Sequence, residues 1–149
     1  MTNNNIRHTD QYGIFIQSRD PATADADAAT ATVDWTVTGN TVGTPDDNTA
    51  FPFFTVYGIR VEGRHNTTTC LDLANNTSAS VGVENFQLRQ RNTTSVFKLE
   101  RYAGAGTDDA AVANFVKAEN PYPGVTAAAT HESATGFTGV ANGTCRTAP

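Results

Sequence analysis

Apolar and polar side chains alternate along much of the chain before residue 102. The clearest segment covers residues 31–38, where the apolar positions are Ala31, Val33, Trp35 and Val37 and threonine or aspartate stands between them. A period of two is typical of an extended strand with one apolar and one polar face. The same signal predicts further strands near residues 11–18, 51–62, 69–73, 81–91 and 95–102.

Turn-forming residues separate the predicted strands. Gly39-Asn40 follows the strand at residues 31–38, and Asn75-Asn76 closes a later strand. Strands and helices do not alternate along the chain, and we detect no internal repeat. The pattern therefore predicts a mainly-β, single-domain fold of the β-sandwich or jelly-roll type.

One short helix is predicted near residues 108–117. The segment 104–106 has the sequence Gly-Ala-Gly and interrupts the strand pattern, and Thr107 or Asp108 is a suitable N-cap. The apolar residues of this helix are Val112, Phe115 and Val116.

The two ends of the chain are poor in large apolar side chains, and this sets the predicted domain organisation. Residues 1–10 are predicted to form an N-terminal arm, residues 11–124 the β-sandwich domain, and residues 125–149 a C-terminal tail or arm. A segment with so little apolar surface does not order itself. We therefore expect extended arms that lie against other subunits, the N-terminal one through Asn3, Asn4, Asn5 and Ile6.

Composition and charge argue against several classes of partner. Threonine supplies 24 of the 149 residues, Lys98 and Lys117 are the only lysines, and the formal net charge is −5. β-Branched threonine suits a pleated strand, whereas long helices with paired charges need more lysine and glutamate. An acidic chain without a basic stripe argues against nucleic-acid binding. No apolar run approaches the length of a membrane span, so we expect no membrane insertion.

Two cysteines, Cys70 and Cys145, lie far apart in the sequence. A disulfide between them would close a long loop and tie down the C-terminal segment, which in the chain-entropy model stabilises a fold by roughly 4 kcal/mol. The alternative is two unpaired buried thiols that pack as small apolar groups. We predict the disulfide if the protein works outside a reducing cytosol.

No segment matches a catalytic or cofactor motif. Residues 104–109 fit a phosphate-binding loop only in part, because Asp109 stands at the last glycine position and adds negative charge. His131-Glu132 lacks the second histidine of a zinc-protease helix. We therefore predict a protein that is not an enzyme and that uses no cofactor and no metal site.

Three weaker features remain as candidates for binding or modification. Asp46, Asp47 and Asn48 offer oxygen ligands that calcium prefers, although turn formation is the simpler interpretation. Tyr122 lies between two prolines and is a candidate for a rigid, exposed aromatic contact. Asn-x-Ser/Thr sequons begin at Asn66, Asn75, Asn76, Asn92 and Asn142.

These features favour a protein that holds surfaces together over one that transforms a substrate. Our first expectation is a structural subunit of an extracellular assembly, either a capsid decoration or cement protein of a virion or a surface-filament subunit. Its partners would be other protein subunits, copies of itself included, joined by strand addition at sheet edges. The alternative is a secreted carbohydrate-binding or adhesin domain with a glycan partner. Either function places the protein on a virion or at the extracellular surface.

Overall fold

A computed structural model describes residues 1–7, 9, 11–19, 31–43, 55–79 and 81–145. The elements are, in chain order, β1 (Asn5–Ile6), β2 (Tyr12–Ser18), β3 (Ala31–Thr38), β4 (Thr41–Val42), β5 (Thr55–Gly63), β6 (Thr67–Ala74), β7 (Thr77–Ser78), β8 (Val81–Gln90), β9 (Val96–Glu100), α1 (Asp109–Glu119), β10 (Ala127–His131) and β11 (Phe137–Val140). The prediction of a mainly-β chain with one short helix is confirmed.

The strands form three parallel sheets, and each successive strand belongs to the next sheet. Sheet 1 contains β1, β4 and β7; sheet 2 contains β2, β5, β8 and β10; sheet 3 contains β3, β6, β9 and β11. All the described strand pairs are parallel. A chain that visits three sheets in turn and returns one strand further along each sheet winds as a three-sided solenoid.

The helix α1 takes the place of a sheet 1 strand in the fourth coil, because it stands between β9 and β10 in the chain. Its N-cap is Asp108, whose carboxylate accepts a hydrogen bond of 3.0 Å from the backbone N–H of Ala111. Val112 and Val116 are its buried residues. Among the described residues, no helix has the length and apolar character needed to cross a membrane.

The parallel pairing does not match the β-sandwich or jelly roll that the sequence predicts, because those folds pair their strands antiparallel. Alternating apolar and polar positions normally indicate antiparallel sheets, since most parallel sheets are buried on both faces. In a solenoid, each strand has one face inside the coils and one face outside. Its strands therefore alternate in the same way although they are parallel.

The core consists of apolar side chains aligned from one coil to the next. In sheet 2, Ile16, Val61 and Leu88 are aligned and buried. In sheet 3, Trp35 is aligned with Leu71. Trp35 is half-buried against this core, and its indole N–H donates to the Ser18 hydroxyl at 3.1 Å.

A ladder of asparagine side chains runs through one corner of the solenoid. The side-chain amide of Asn4 donates to Asn40 at 2.8 Å, that of Asn40 donates to Asn76 at 2.9 Å, and that of Asn76 donates to Asn120 at 2.9 Å. The amide of Asn120 donates to the backbone carbonyl of Val116 at 2.9 Å and ends the ladder. The last three asparagines of the ladder are buried.

The ladder exposes a structural repeat that the sequence analysis did not detect. Asn4, Asn40 and Asn76 are separated by 36 residues at each step. The residue before each of them has a positive φ, namely 55° at Asn3, 67° at Gly39 and 57° at Asn75. Asparagine and glycine tolerate this left-handed conformation better than other residues do. The same two-residue corner therefore recurs in three coils.

The described part of each predicted terminal arm contributes strands to the sheets of its own chain. β1 pairs with β4, and the N-terminal ammonium of Met1 donates to the carbonyl of Thr36 at 2.6 Å. β10 pairs with β8, and β11 pairs with β9. Backbone hydrogen bonds to the adjacent coil, and not large apolar side chains, order these strands. That the arms lie against other subunits stays a prediction.

Candidate functional site

Three aromatic rings stack on the outer side of sheet 2. Tyr12 lies between Phe15 and Tyr57, with ring centroids 4.9 Å and 5.7 Å away, and the neighbouring planes are tilted by 22° and 13°. Phe15 is 45% exposed, and both tyrosines are half-exposed. These rings come from two adjacent coils, because Phe15 lies on β2 and Tyr57 on β5.

Glycines follow both tyrosines at the corner between sheets 1 and 2, where no side chain fits. A Cβ on Gly13 would collide with the Val42 side chain, and a Cβ on Gly58 would collide with the Ser78 hydroxyl. Strict alternation would place Tyr12 and Tyr57 on the inner side of sheet 2, because Ile14 and Ile59, two residues further along each strand, are buried. Since Tyr12 instead stacks on the exposed Phe15 and on Tyr57, the alternation is broken at the glycine corner.

The buried carboxylate of Glu62 contacts three guanidinium groups beside the aromatic rings. Glu62 is 1% exposed and accepts hydrogen bonds from Arg60 Nε at 2.8 Å and from Gln17 Nε2 at 3.1 Å. Arg89 and Arg64 form ion pairs with Glu62, each with a nitrogen–oxygen distance of 3.3 Å. The guanidinium carbon of Arg60 also lies between 5.2 and 5.7 Å from the three ring centroids.

We name this surface the aromatic–arginine face, and its members are Tyr12, Phe15, Gln17, Tyr57, Arg60, Glu62, Arg64 and Arg89. Register aligns Phe15 with Arg60, and Gln17 with Glu62 and Arg89, so the face crosses three neighbouring strands. The spacing of about 4.8 Å between strands sets the distance from one row of side chains to the next. The face is therefore an ordered array and not a loop surface.

The aromatic–arginine face carries excess positive charge although the whole chain is acidic. Burial alone would raise the pKa of Glu62, but the hydrogen bond and charge of Arg60, with Gln17 and Arg64, hold that pKa below its ordinary value. Glu62 is therefore ionised at neutral pH. Even when Glu84, aligned with Tyr57, is counted with Glu62, the three arginines leave one positive charge in excess.

A second concave feature, the Arg101 pocket, lies where sheet 3 meets the end of α1. It has a volume of about 420 Å³ and is lined by Thr38, Asp72, Ala74, Asn75, Arg101, Glu119 and Asn142. Each guanidinium nitrogen of Arg101 donates to a carboxylate of the chain: Nε to Glu119 at 2.7 Å, and the two others to Glu100 at 3.2 Å and Asp72 at 2.8 Å.

These bonds make the Arg101 pocket a structural junction between β6, β9 and α1. Burial would lower the pKa of Arg101, but hydrogen bonds and charges from Asp72 and Glu119 raise it above its ordinary value. The side chains of Asp72 and Glu100 are fully buried. Since the donors of Arg101 are committed to the chain's own carboxylates, the aromatic–arginine face is the better candidate for binding a ligand.

The predicted disulfide between Cys70 and Cys145 is present. It holds the segment after β11 against sheet 3, where the backbone N–H of Cys145 donates to Glu100 at 2.6 Å. Cys70 lies on β6, an inner strand of sheet 3, and the register aligns it with Asp34 on β3 and with Lys98 on β9. The disulfide therefore fixes the C-terminal segment to the middle of a sheet.

The other residues singled out from the sequence are scattered over the molecule. Asn3, Asn4, Asn5 and Ile6 form the first corner of the solenoid and β1. Tyr122 is half-exposed in the turn after α1, where its carbonyl accepts from Val125 N–H at 3.1 Å. The calcium candidates Asp46, Asp47 and Asn48 lie outside the described residues, and within those described no three His, Cys, Asp or Glu side chains are placed to hold a metal ion.

The asparagines of the five sequons differ in solvent exposure. Asn76 is 1% exposed and its amide is bonded inside the ladder, so it is closed to glycosylation. Asn75 and Asn142 are exposed. Asn92 accepts from the backbone N–H of His65 at 3.0 Å and is half-exposed, as is Asn66.

Sequence reasoning missed the aromatic–arginine face. Tyr12, Phe15 and Tyr57 were assigned to strands, but their stacking depends on the register between β2 and β5. The signal available in the sequence was the alternation of Arg60 and Glu62 in the predicted strand at residues 51–62, continued by Arg64 two residues later. Charged residues at every second position of one strand indicate an outward face with a cluster of charge.

Comparison of the chain with protein-family models, with curated proteins and with solved structures finds no match in any of the three. The functional argument therefore depends on the geometry of this chain alone.

Proposed function

We propose that this chain is a non-catalytic, extracellular carbohydrate-binding domain of the adhesin type, which holds a saccharide on the aromatic–arginine face. Aromatic rings offer apolar contact to the C–H faces of sugars, and guanidinium and amide groups donate hydrogen bonds to sugar oxygens. The disulfide supports a location outside the reducing cytosol. Strands from both predicted arms pair within their own chain, so the composition of the arms gives no separate support for ranking an assembly subunit first.

The observation that carries this proposal is the stack of Tyr12, Phe15 and Tyr57 outside the core. One exposed aromatic side chain needs no explanation, because folded proteins expose much apolar surface. Three stacked rings bordered by arginines are different, because they leave apolar surface in water and contribute little to the interior. Such an array is typical of a surface that binds a partner.

Screening the full chain on a glycan array, followed by calorimetric titration of the best glycan, tests this proposal. Phe15→Ala removes the most exposed ring of the stack and leaves the buried side of β2 unchanged. We expect its affinity to fall about tenfold, which corresponds to about 1.4 kcal/mol. A thermal melt of the variant should coincide with that of the wild type.

The matched control is Val96→Ala, because Val96 is 38% exposed on β9 in sheet 3, away from the aromatic–arginine face. This variant should bind the same glycan as tightly as the wild type. The proposal is wrong if no glycan binds, or if Phe15→Ala binds as tightly as Val96→Ala.

A structural subunit of an extracellular assembly, on a virion or in a surface filament, is the second candidate function. The observation that favours it is that β2 is the terminal strand of sheet 2 among the described strands. Asn4 is the exposed end of the ladder: it donates to Asn40, and no asparagine of the described residues donates to it. Terminal strands are templates for pairing with another chain.

Light scattering coupled to size-exclusion chromatography tests the assembly function with copies of this chain as partner. A subunit that pairs through β2 should form oligomers, and Phe15→Lys should return them to monomers, since lysine on a terminal strand disfavours pairing with another chain. A monomer at every concentration tested would contradict self-assembly. Oligomers that persist in Phe15→Lys would contradict pairing through β2.

A further inference from the structure

We infer that the saccharide bound by the aromatic–arginine face is acidic, carrying carboxylate or sulfate groups. This inference rests on the proposed function and adds the chemical class of its ligand. Aromatic rings alone would suit neutral and acidic sugars equally. The arginines distinguish the two classes.

The arginines are more numerous than the internal carboxylate requires. Glu62 carries a single negative charge, yet Arg60, Arg64 and Arg89 all contact it. Arg60 alone, with the amide of Gln17, would satisfy both oxygens of this carboxylate. Arg64 and Arg89 therefore bring positive charge to the surface that folding does not need.

The side chains of Arg60, Arg64 and Arg89 differ in solvent exposure, which indicates different roles. The Arg60 side chain is 12% exposed and is held by Glu62 and by the Tyr12 hydroxyl at 3.2 Å. The side chains of Arg64 and Arg89 are 25% and 28% exposed, and each meets Glu62 through a single contact of 3.3 Å. A guanidinium has five N–H donors, so both retain donors for a ligand.

A guanidinium recognises planar oxyanions through paired hydrogen bonds, which suits a uronate carboxylate or a sulfate ester. A ligand that lies over the stack of Tyr12, Phe15 and Tyr57 comes close to Arg60, which borders all three rings. Register places Arg89 next to Glu62 on the following strand. An extended acidic saccharide that crosses from β2 to β8 would meet the rings first and the exposed arginines next.

The rest of the chain disfavours nucleic acid as the anionic polymer. The formal net charge is −5 and the sequence pI is about 5.0, so the remainder of the chain carries an excess of negative charge. Nucleic acid needs a basic surface that follows its densely charged backbone. A polysaccharide with one charge per sugar requires only a small cluster of arginines between aromatic contacts.

Calorimetric titration of the full chain with three probes tests the inference: a galacturonate hexasaccharide, dextran sulfate and neutral cellohexaose. We expect at least tenfold tighter binding of one of the two acidic probes than of cellohexaose, and a loss of that preference in high salt. The stronger acidic probe distinguishes carboxylate from sulfate. Arg64→Gln and Arg89→Gln should each lower acidic-probe affinity severalfold without changing cellohexaose binding.

The control variant is Lys98→Gln, which removes a cation from β9 in sheet 3 and should leave all three affinities unchanged. Phe15→Ala should weaken every probe that binds. Equal affinity for neutral and acidic probes would overturn this inference and leave carbohydrate binding intact, whereas binding of no saccharide would overturn the proposed function itself. Tighter binding of a DNA duplex than of the acidic saccharides would overturn the inference in favour of nucleic acid.

Discussion

Removal of the side chain of Asn76 is expected to destabilise the solenoid more than removal of any exposed asparagine. Asn76 occupies an interior position of the ladder and is 1% exposed. Its carbonyl oxygen accepts from the backbone N–H and the amide of Asn40, both at 2.9 Å. Its amide donates to the carbonyl of Val37 at 2.8 Å and to Asn120 at 2.9 Å.

The magnitude follows from what Asn76→Ala leaves behind. The buried backbone N–H of Asn40 loses its partner, which costs about 1–3 kcal/mol. The bonds to the side chains of Asn40 and Asn120 contribute about 1 kcal/mol each. We therefore expect the free energy of unfolding to fall by about 3–5 kcal/mol. Asn4→Ala should cost less than about 1 kcal/mol, because water reaches the exposed end of the ladder.

Urea denaturation followed by the fluorescence of Trp35, the single tryptophan, measures these differences. Asn114→Ala is the matched control, because Asn114 is exposed on α1 and should change stability by no more than about 0.5 kcal/mol. If Asn76→Ala costs no more than Asn4→Ala, the ladder does not stabilise the corner of the solenoid.

Three further predictions concern the disulfide, an unpaired hydroxyl and acid stability. Replacing Cys70 and Cys145 by serine should lower the free energy of unfolding by about 4 kcal/mol, measured in urea, and a loss below about 1 kcal/mol would contradict this. Thr69 is buried and its hydroxyl has no partner among the described residues, so Thr69→Val should raise stability by about 1 kcal/mol; a lower melting temperature would show that the hydroxyl is bonded. The lowered pKa of Glu62 stabilises the fold fully above the ordinary value of 4.5, and this contribution disappears as pH falls through the lowered value. Glu62→Gln should therefore lose less stability than the wild type between neutral pH and about pH 3, and parallel losses would refute this assignment.

Local features of the fold were predictable because they depend on neighbours in the sequence. The helix was expected near residues 108–117 from its cap and apolar spacing, and it occupies Asp109–Glu119. Strand alternation at residues 31–38 corresponds to β3. The cysteine pair was also recognised, since only one intramolecular pairing exists for two cysteines.

The sheet topology was not predictable from alternation, because a solenoid strand and an antiparallel strand both expose one face. The separation of 36 residues between Asn4, Asn40 and Asn76 was the available signal. It was faint because only a corner dipeptide recurs, while the aligned positions of sheet 2 are unevenly spaced: Phe86 follows Ile59 after fewer residues than Ile59 follows Ile14.

The most direct test of carbohydrate binding on the aromatic–arginine face is an NMR titration of the isotope-labelled full chain with the best-binding saccharide. The account predicts chemical-shift changes concentrated on the outward residues of β2, β5 and β8, with Phe15 and Tyr57 among the largest. Residues around Arg101 should remain unshifted. Changes centred on the Arg101 pocket, or no change with any saccharide, would contradict the account.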